Sequence, residues 1–121
     1  MYYLFIIKEN YFKDNSKYLY QILYKLKNMN EDDFNYGVNV YNSICKTFDV
    51  AAIKTYLKHK TKLKYKDNKF YIDKNSYVQI RKSCCVINND TYLRELLSIF
   101  YIYNKNIFVC NFNKSIYFWI K

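Results

Sequence analysis

Proline is absent from this 121-residue chain, and glycine occurs once, at Gly37. Few features restrict a fold more. Without glycines no Gly-rich loop can wrap a phosphate, so nucleotide-binding fingerprints built on repeated glycines are excluded by counting. A flexible Gly- or Pro-rich linker cannot be built either. Residues 1–121 therefore read as a single domain, long enough for one modest core. Half the residues are apolar and 21% are aromatic, which supplies core material and argues against disorder. The opening "MYYLFIIKEN" is apolar for only a few residues, with no basic lead-in and no cleavage-type site. It is expected to be neither a signal peptide nor a membrane span.

Charge is distributed unevenly. The formal net charge is +10. Residues 1–45 balance five basic against five acidic side chains, whereas residues 46–82 hold eleven basic and three acidic (Asp49, Asp67, Asp73). Lys, Asn, Ile, Tyr and Phe all have AT-rich codons, so an AT-biased genome raises Lys and Tyr throughout. Sixteen tyrosines alone therefore do not argue for base stacking. Concentration of one sign of charge in under a third of the chain is different. It is the electrostatic footprint of a polyanion binder.

The elements alternate. "YYLFIIK" (2–8) has the length and the aromatic, β-branched content of a strand. "NSKYLYQILYKLKNM" places Leu19, Ile22, Leu23 and Leu26 at helical spacing, with Ser16 set to cap it. "NEDDFNYG" reads as an acidic, turn-rich break. "VYNSICKTF" (40–48) puts Val40, Ile44 and Phe48 on one helical face. "DVAAIKTYLKHK" (49–60) starts on an N-capping Asp and repeats apolar residues at 50, 53 and 57. Two short helices separated only by Phe48-Asp49 make a helix–turn–helix candidate.

A lysine ladder, "KTYLKHKTKLKYKDNKFYIDK" (54–74), follows. With Asp67-Asn68 as a two-residue turn, Lys66 faces Lys69, Tyr65 faces Phe70, and Lys64 faces Tyr71. One face of the hairpin is then apolar (Leu63, Tyr65, Phe70, Ile72). The other carries Lys62, Lys64, Lys66, Lys69 and Tyr71, because side chains alternate along a strand. Opposed lysines at 66 and 69 repel mildly, which a polyanion lying across them would relieve. "NSYVQIRKSCC" (75–85) reads as a helix capped by Asn75 or Ser76. "NDTYLRELLSIFYIYN" (89–104) reads as a stronger helix, with Leu93, Leu96, Leu97 and Phe100 inward. "NIFVCNFNKSIYFWIK" reads as two strands about Asn113-Lys114, expected to join the N-terminal strand in one sheet covering the helices on one side. Trp119 is expected in the core or at its rim.

Catalytic and metal chemistry find little support. Cys45, Cys84, Cys85 and Cys110 form no CxxC pair, and His59 is the single histidine, so no metal site is expected. His59 stands among lysines that disfavour the imidazolium of a Cys–His pair. The thiols point to a reducing, intracellular compartment. The run Glu31-Asp32-Asp33 reads as a solvated turn. Neither an enzyme nor a cofactor is expected.

Over residues 38–104 the helix pair, the basic hairpin ending "FYIDKNSYVQI", the helix after it and the helix "NNDTYLRELLSIFYIY" resemble the KilA-N/BRO group. These are viral DNA-binding domains, most similar in style to the N-terminal module of certain insect-poxvirus and iridovirus proteins. The resemblance implies non-enzymatic DNA binding by a large DNA virus in the host cytoplasm or nucleus. Residues 1–37 and the final hairpin have no counterpart in it.

The expectation is an α+β single domain with a helix–turn–helix, a basic β-hairpin wing and a small antiparallel sheet. Lys58, Lys60, Lys62, Lys64, Lys66 and Lys69 would neutralise phosphates. Lys54, Thr55 and Lys58 would face a major groove, and Asn68 at the hairpin tip a minor groove. Lysine fills all but two of the basic positions, and it lacks arginine's planar fork, so weak base discrimination is expected. Duplex DNA is the favoured ligand. RNA is allowed, stacked on Tyr65 or Tyr71. A rival reading is an interaction protein that binds a protein partner through a tyrosine-rich surface (Tyr2, Tyr11, Tyr18, Tyr20, Tyr36, Tyr41).

Overall fold

The structure is a computed structural model describing residues 1–8 and 14–121, with backbone alone at positions 31 and 34. Strand β1 (Tyr2–Ile7) organises it. Tyr2, Leu4 and Ile6 enter one buried cluster, while Ile7 enters a second against which Tyr3 and Phe5 pack. A strand covered on both faces has no polar side, which is why its sequence is nearly all apolar. On one side β1 pairs antiparallel with β7 (Ile107–Asn111). On the other it pairs with β6 (Cys85–Ile87) along its first half and β2 (Cys45–Lys46) along its second.

The remaining strands are β3 (Lys64–Lys66), β4 (Lys69–Tyr71), β5 (Tyr77–Ile80) and β8 (Ile116–Trp119). The eight-stranded sheet runs β3-β4-β5-β6-β1-β7-β8, with β2 beside β1, and every pair is antiparallel. Helices α1 (Ser16–Lys27) and α2 (Phe34–Ile44) bury Leu19, Leu23 and Ile44 against one face, with Ile7, Phe108 and Cys110. Helices α3 (Val50–Lys60) and α4 (Leu93–Tyr103) bury Ile53, Leu57, Leu96 and Phe100 against the other, with Leu4, Phe70 and Val78. The fold is α+β. Among the described residues no helix is long and apolar enough to cross a membrane.

The lysine hairpin has the expected register, Lys64↔Tyr71, Tyr65↔Phe70 and Lys66↔Lys69. The C-terminal hairpin joins β1 as expected, and Trp119 sits half-buried at the rim, edge-on to Phe108 at 5.0 Å. Its indole N–H donates to Ser16 Oγ at 3.1 Å. Ser16 therefore serves the indole, and α1 has no side-chain cap.

Four expectations are corrected. The helix read at 75–85 is the strand pair β5–β6: Val78 and Ile80 are buried and their neighbours less so, a period of two rather than 3.6. The acidic "break" is a 3₁₀ turn (Glu31–Asp33) leading into α2, which ends at Ile44 instead of Phe48. Phe48 lies beyond β2, in the α3–α4 cluster. Consequently α2 and α3 serve opposite faces of the sheet and do not form a helix–turn–helix unit. Finally, the basic hairpin is no free wing. Strand β4 pairs with β5, so the hairpin is the end of the sheet, which carries helices on both faces instead of one.

The scarcity of glycine shows in the turns. Every described residue with positive φ carries a side chain: Asp67 (54°), Asn68 (65°), Tyr92 (63°) and Ser115 (55°). Asp67-Asn68 closes the lysine hairpin with both residues left-handed, as a type I′ turn requires. Tyr92, before α4, is the costliest, since a bulky side chain there is a true outlier. Its ring is exposed, so little packing holds it in place. Replacing it with Gly should raise stability by about 0.5–1 kcal/mol, and Tyr92→Val should lower it by a similar amount. Denaturant midpoints of the two variants check this.

Candidate nucleic-acid interface

The ladder starts on α3. Asp49 Oδ1 accepts from Ala52 N at 3.1 Å, which sets where the helix begins. Burial of Ile53 and Leu57 then fixes its rotation. Lys54 and Lys58 lean toward the hairpin, with Nζ atoms 4.3 and 5.0 Å from the centroid of the Tyr65 ring. A cation over a ring face is held electrostatically, so both ammoniums are tethered beside strand β3. Thr55 Oγ1 donates to the Ala51 carbonyl at 3.1 Å and is engaged with its own helix. Lys60 lies near the Tyr56 ring, at 6.0 Å.

Across the sheet the geometry differs. Tyr65 and Phe70 point to the α3–α4 core, so Lys64, Lys66, Lys69 and Tyr71 occupy the opposite face. The cluster under α1 and α2 contains no residue of β3, β4 or β5. Those two helices cover the β1–β8 half of this face, and among the described residues no helix covers the hairpin half. The pairing β4–β5 sets Tyr77 opposite Tyr71 and Gln79 opposite Lys69. The Tyr71 and Tyr77 rings are 6.0 Å apart, and Lys69 Nζ stands 4.4 Å from the centroid of Tyr77. That contact gives Lys69, which is opposed to Lys66 in the hairpin register, a favourable partner on the neighbouring strand. Arg81 continues the row, donating to Gln79 Oε1 at 3.0 Å. A shallow depression of about 450 Å³ beside the hairpin is lined by Lys64, Lys66, Tyr71, Ile72 and Lys74, with Asp67 and Asp73 also present.

The expected site residues thus divide into two sets. Lys64, Lys66, Lys69 and Tyr71 share one face, and Lys54 and Lys58 lie on the other. Lys62 and Lys60 are exposed where α3 hands over to β3, and Asn68 is exposed at the tip, accepting from Tyr65 O–H at 3.0 Å. Tyr77, Gln79 and Arg81 were not anticipated. The burial alternation of "YVQI" is a strand's, but only the β4–β5 pairing brings these residues beside the lysines. Of the tyrosines expected at a protein-binding surface, Tyr18 and Tyr36 are exposed, Tyr20 and Tyr41 are half-buried, and Tyr2 is buried. Tyr11 lies outside the described residues.

All four cysteines are buried and free. Among the described residues no three of His, Cys, Asp and Glu come together as metal ligands. Burial pushes the Cys45 thiol up to about 12, with a smaller push from Cys84. Burial also raises Cys84, Cys85 and Cys110. Such thiols are poor nucleophiles at neutral pH.

Below the ordinary thiol value of 9.0 both folded and unfolded states keep the Cys45 proton, so its contribution to stability is constant there. Above it the unfolded chain ionises first, and stability falls as pH climbs toward about 12. Denaturant midpoints should be level from about pH 7 to 8.5 and decline above pH 9, less steeply in Cys45→Ala. A decline equally steep in that variant would assign the effect elsewhere. No family model matches the chain, and no curated protein matches it.

Proposed function

We propose that this protein binds nucleic acid without catalysing a reaction, gripping phosphates with the lysines of α3, β3 and β4. The observation carrying this is placement. Lys64, Lys66 and Lys69 stand together on a sheet face that none of the described helices covers, and Lys54, Lys58, Lys60 and Lys62 flank the same edge strand. Duplex DNA is the ligand proposed for this ridge, held mainly through its backbone. Lysine presents a flexible point charge, which favours affinity that is independent of sequence and sensitive to salt. Kinship with KilA-N/BRO domains is part of the same proposal, and it rests on the basic hairpin and α4 without the helix pair or a helix at 75–85.

A second reading has its own observation. Tyr71 and Tyr77 lie side by side among the lysines on an open sheet face, as in single-strand binders, where bases stack on aromatic rings and cations follow the backbone. In this mode α3 supports the strand's edge and enters no groove.

Fluorescence anisotropy at two salt concentrations tests both, using AT-rich duplex DNA, single-stranded DNA and an RNA hairpin. Duplex affinity should fall with roughly the fourth power of salt or more steeply, the slope for about four or more neutralised phosphates. Lys62→Ala/Lys64→Ala/Lys66→Ala should weaken every ligand evenly and flatten that slope. Tyr71→Ala/Tyr77→Ala should cost single strands about tenfold or more and leave the duplex nearly unchanged. Binding unaffected by the triple variant would remove the hairpin from the interface.

A further inference from the structure

A second cavity lies away from the hairpin, where α1 and α2 meet the central strands. Its volume is about 460 Å³, within the range of small-molecule sites. Tyr3 and Phe5 of β1 and Phe112 after β7 line it on the sheet side, and Leu26, Met29 and Val38 line it on the helix side. Gly37 presents no side chain here; the Met29 sulfur stands 2.8 Å from where a Cβ would be. Methionine's unbranched thioether adapts its shape readily, so this wall can yield to an occupant.

The polar chemistry of the lining is one-sided. Among the described residues its charged lining is Lys27 and Arg81, with no carboxylate beside them. Lys27 Nζ is 4.9 Å from the Tyr3 centroid and 5.2 Å from that of Phe112, directly above the aromatic wall. Arg81 gives one N–H to Gln79, and a guanidinium has five. Both side chains are exposed at the mouth. An apolar hollow left to water is unfavourable, and a cationic mouth selects what fills it.

We infer that this cavity binds a free amphipathic anion: an apolar body of medium-chain length carrying one carboxylate. The apolar body replaces water against Tyr3, Phe5, Leu26 and Met29. The carboxylate accepts charge-assisted hydrogen bonds from Lys27 and Arg81. The site shares Arg81 with the row beside the hairpin, and its occupancy does not require that nucleic acid be bound.

Calorimetric titration with three probes of equal chain length tests this: sodium decanoate, decanol and decyltrimethylammonium. Decanoate should bind saturably with one molecule per chain, decanol at least tenfold more weakly, and the ammonium not at all. Lys27→Met/Arg81→Met retains the apolar stems and should bring decanoate down to the affinity of decanol, leaving decanol unchanged. Val38→Trp, at an exposed position on the wall, should fill the hollow and abolish decanoate binding while circular dichroism shows the native melt. Three results would overturn the inference. The first is no saturable decanoate binding by the wild-type chain. The others are decanoate affinity unchanged in the double methionine variant, or equal affinity for decanoate and the ammonium.

Discussion

Everything in this molecule is arranged around the two-sided burial of β1. Leu4 and Ile6 are covered by one helical layer, and Ile7, with its neighbours Tyr3 and Phe5, by the other. Burying each large apolar side chain contributes about 1.5–3 kcal/mol, so this six-residue strand ties two helix pairs to one sheet. Helices α1 and α2 pack where β1, β7 and β8 present apolar side chains. They stop short of β3–β5, whose outward positions are Lys64, Lys66, Lys69, Tyr71, Tyr77 and Gln79. The cationic face is open because the helix layer ends where the apolar face ends.

Strand β3 is also the edge of the sheet. An unpaired edge invites pairing with another chain, and lysines on it resist that. The ladder therefore has a protective role whether or not a ligand is present. Codon bias can raise the number of lysines, but it cannot choose their face. That choice follows from alternation, with Tyr65 and Phe70 packed inward and the lysines between them turned out. Tethering of Lys54 and Lys58 over Tyr65, and of Lys69 beside Tyr77, goes further. It orders ammonium groups that would otherwise sweep a wide volume, which lowers the entropy lost when they meet an anion.

What the sequence made legible was local. The lysine hairpin could be paired residue by residue because a two-residue turn fixes register, and Asp49 marked the start of α3 because a cap acts within one turn. The failures were of another kind. Asn75 and Ser76 look like helix caps, yet the Ser76 carbonyl accepts from Ile72 N at 2.8 Å within the β4–β5 loop, and its hydroxyl accepts from Asn89, between β6 and α4, at 2.9 Å. Phe48 fits a helical face with Val40 and Ile44 until β2 intervenes and carries it to the opposite core. Of the candidate site, the lysines were visible from alternation alone. Tyr77, Gln79 and Arg81 were not, because their membership depends on β4 pairing with a strand that had been read as a helix. Placement across a sheet is a long-range property, and short windows of sequence do not contain it.

The central claim, that the uncovered half-sheet is the nucleic-acid surface, is tested most directly by mapping contacts on the folded protein. An NMR titration of the ¹⁵N-labelled chain with a short AT-rich duplex, and separately with a single strand of the same sequence, would do so. The account predicts shifts confined to the amides of β3, β4 and β5 and to the turn of α3 nearest them, with α1 and α2 silent. Shifts centred on α1 and α2, or none at low salt with either ligand, would contradict it.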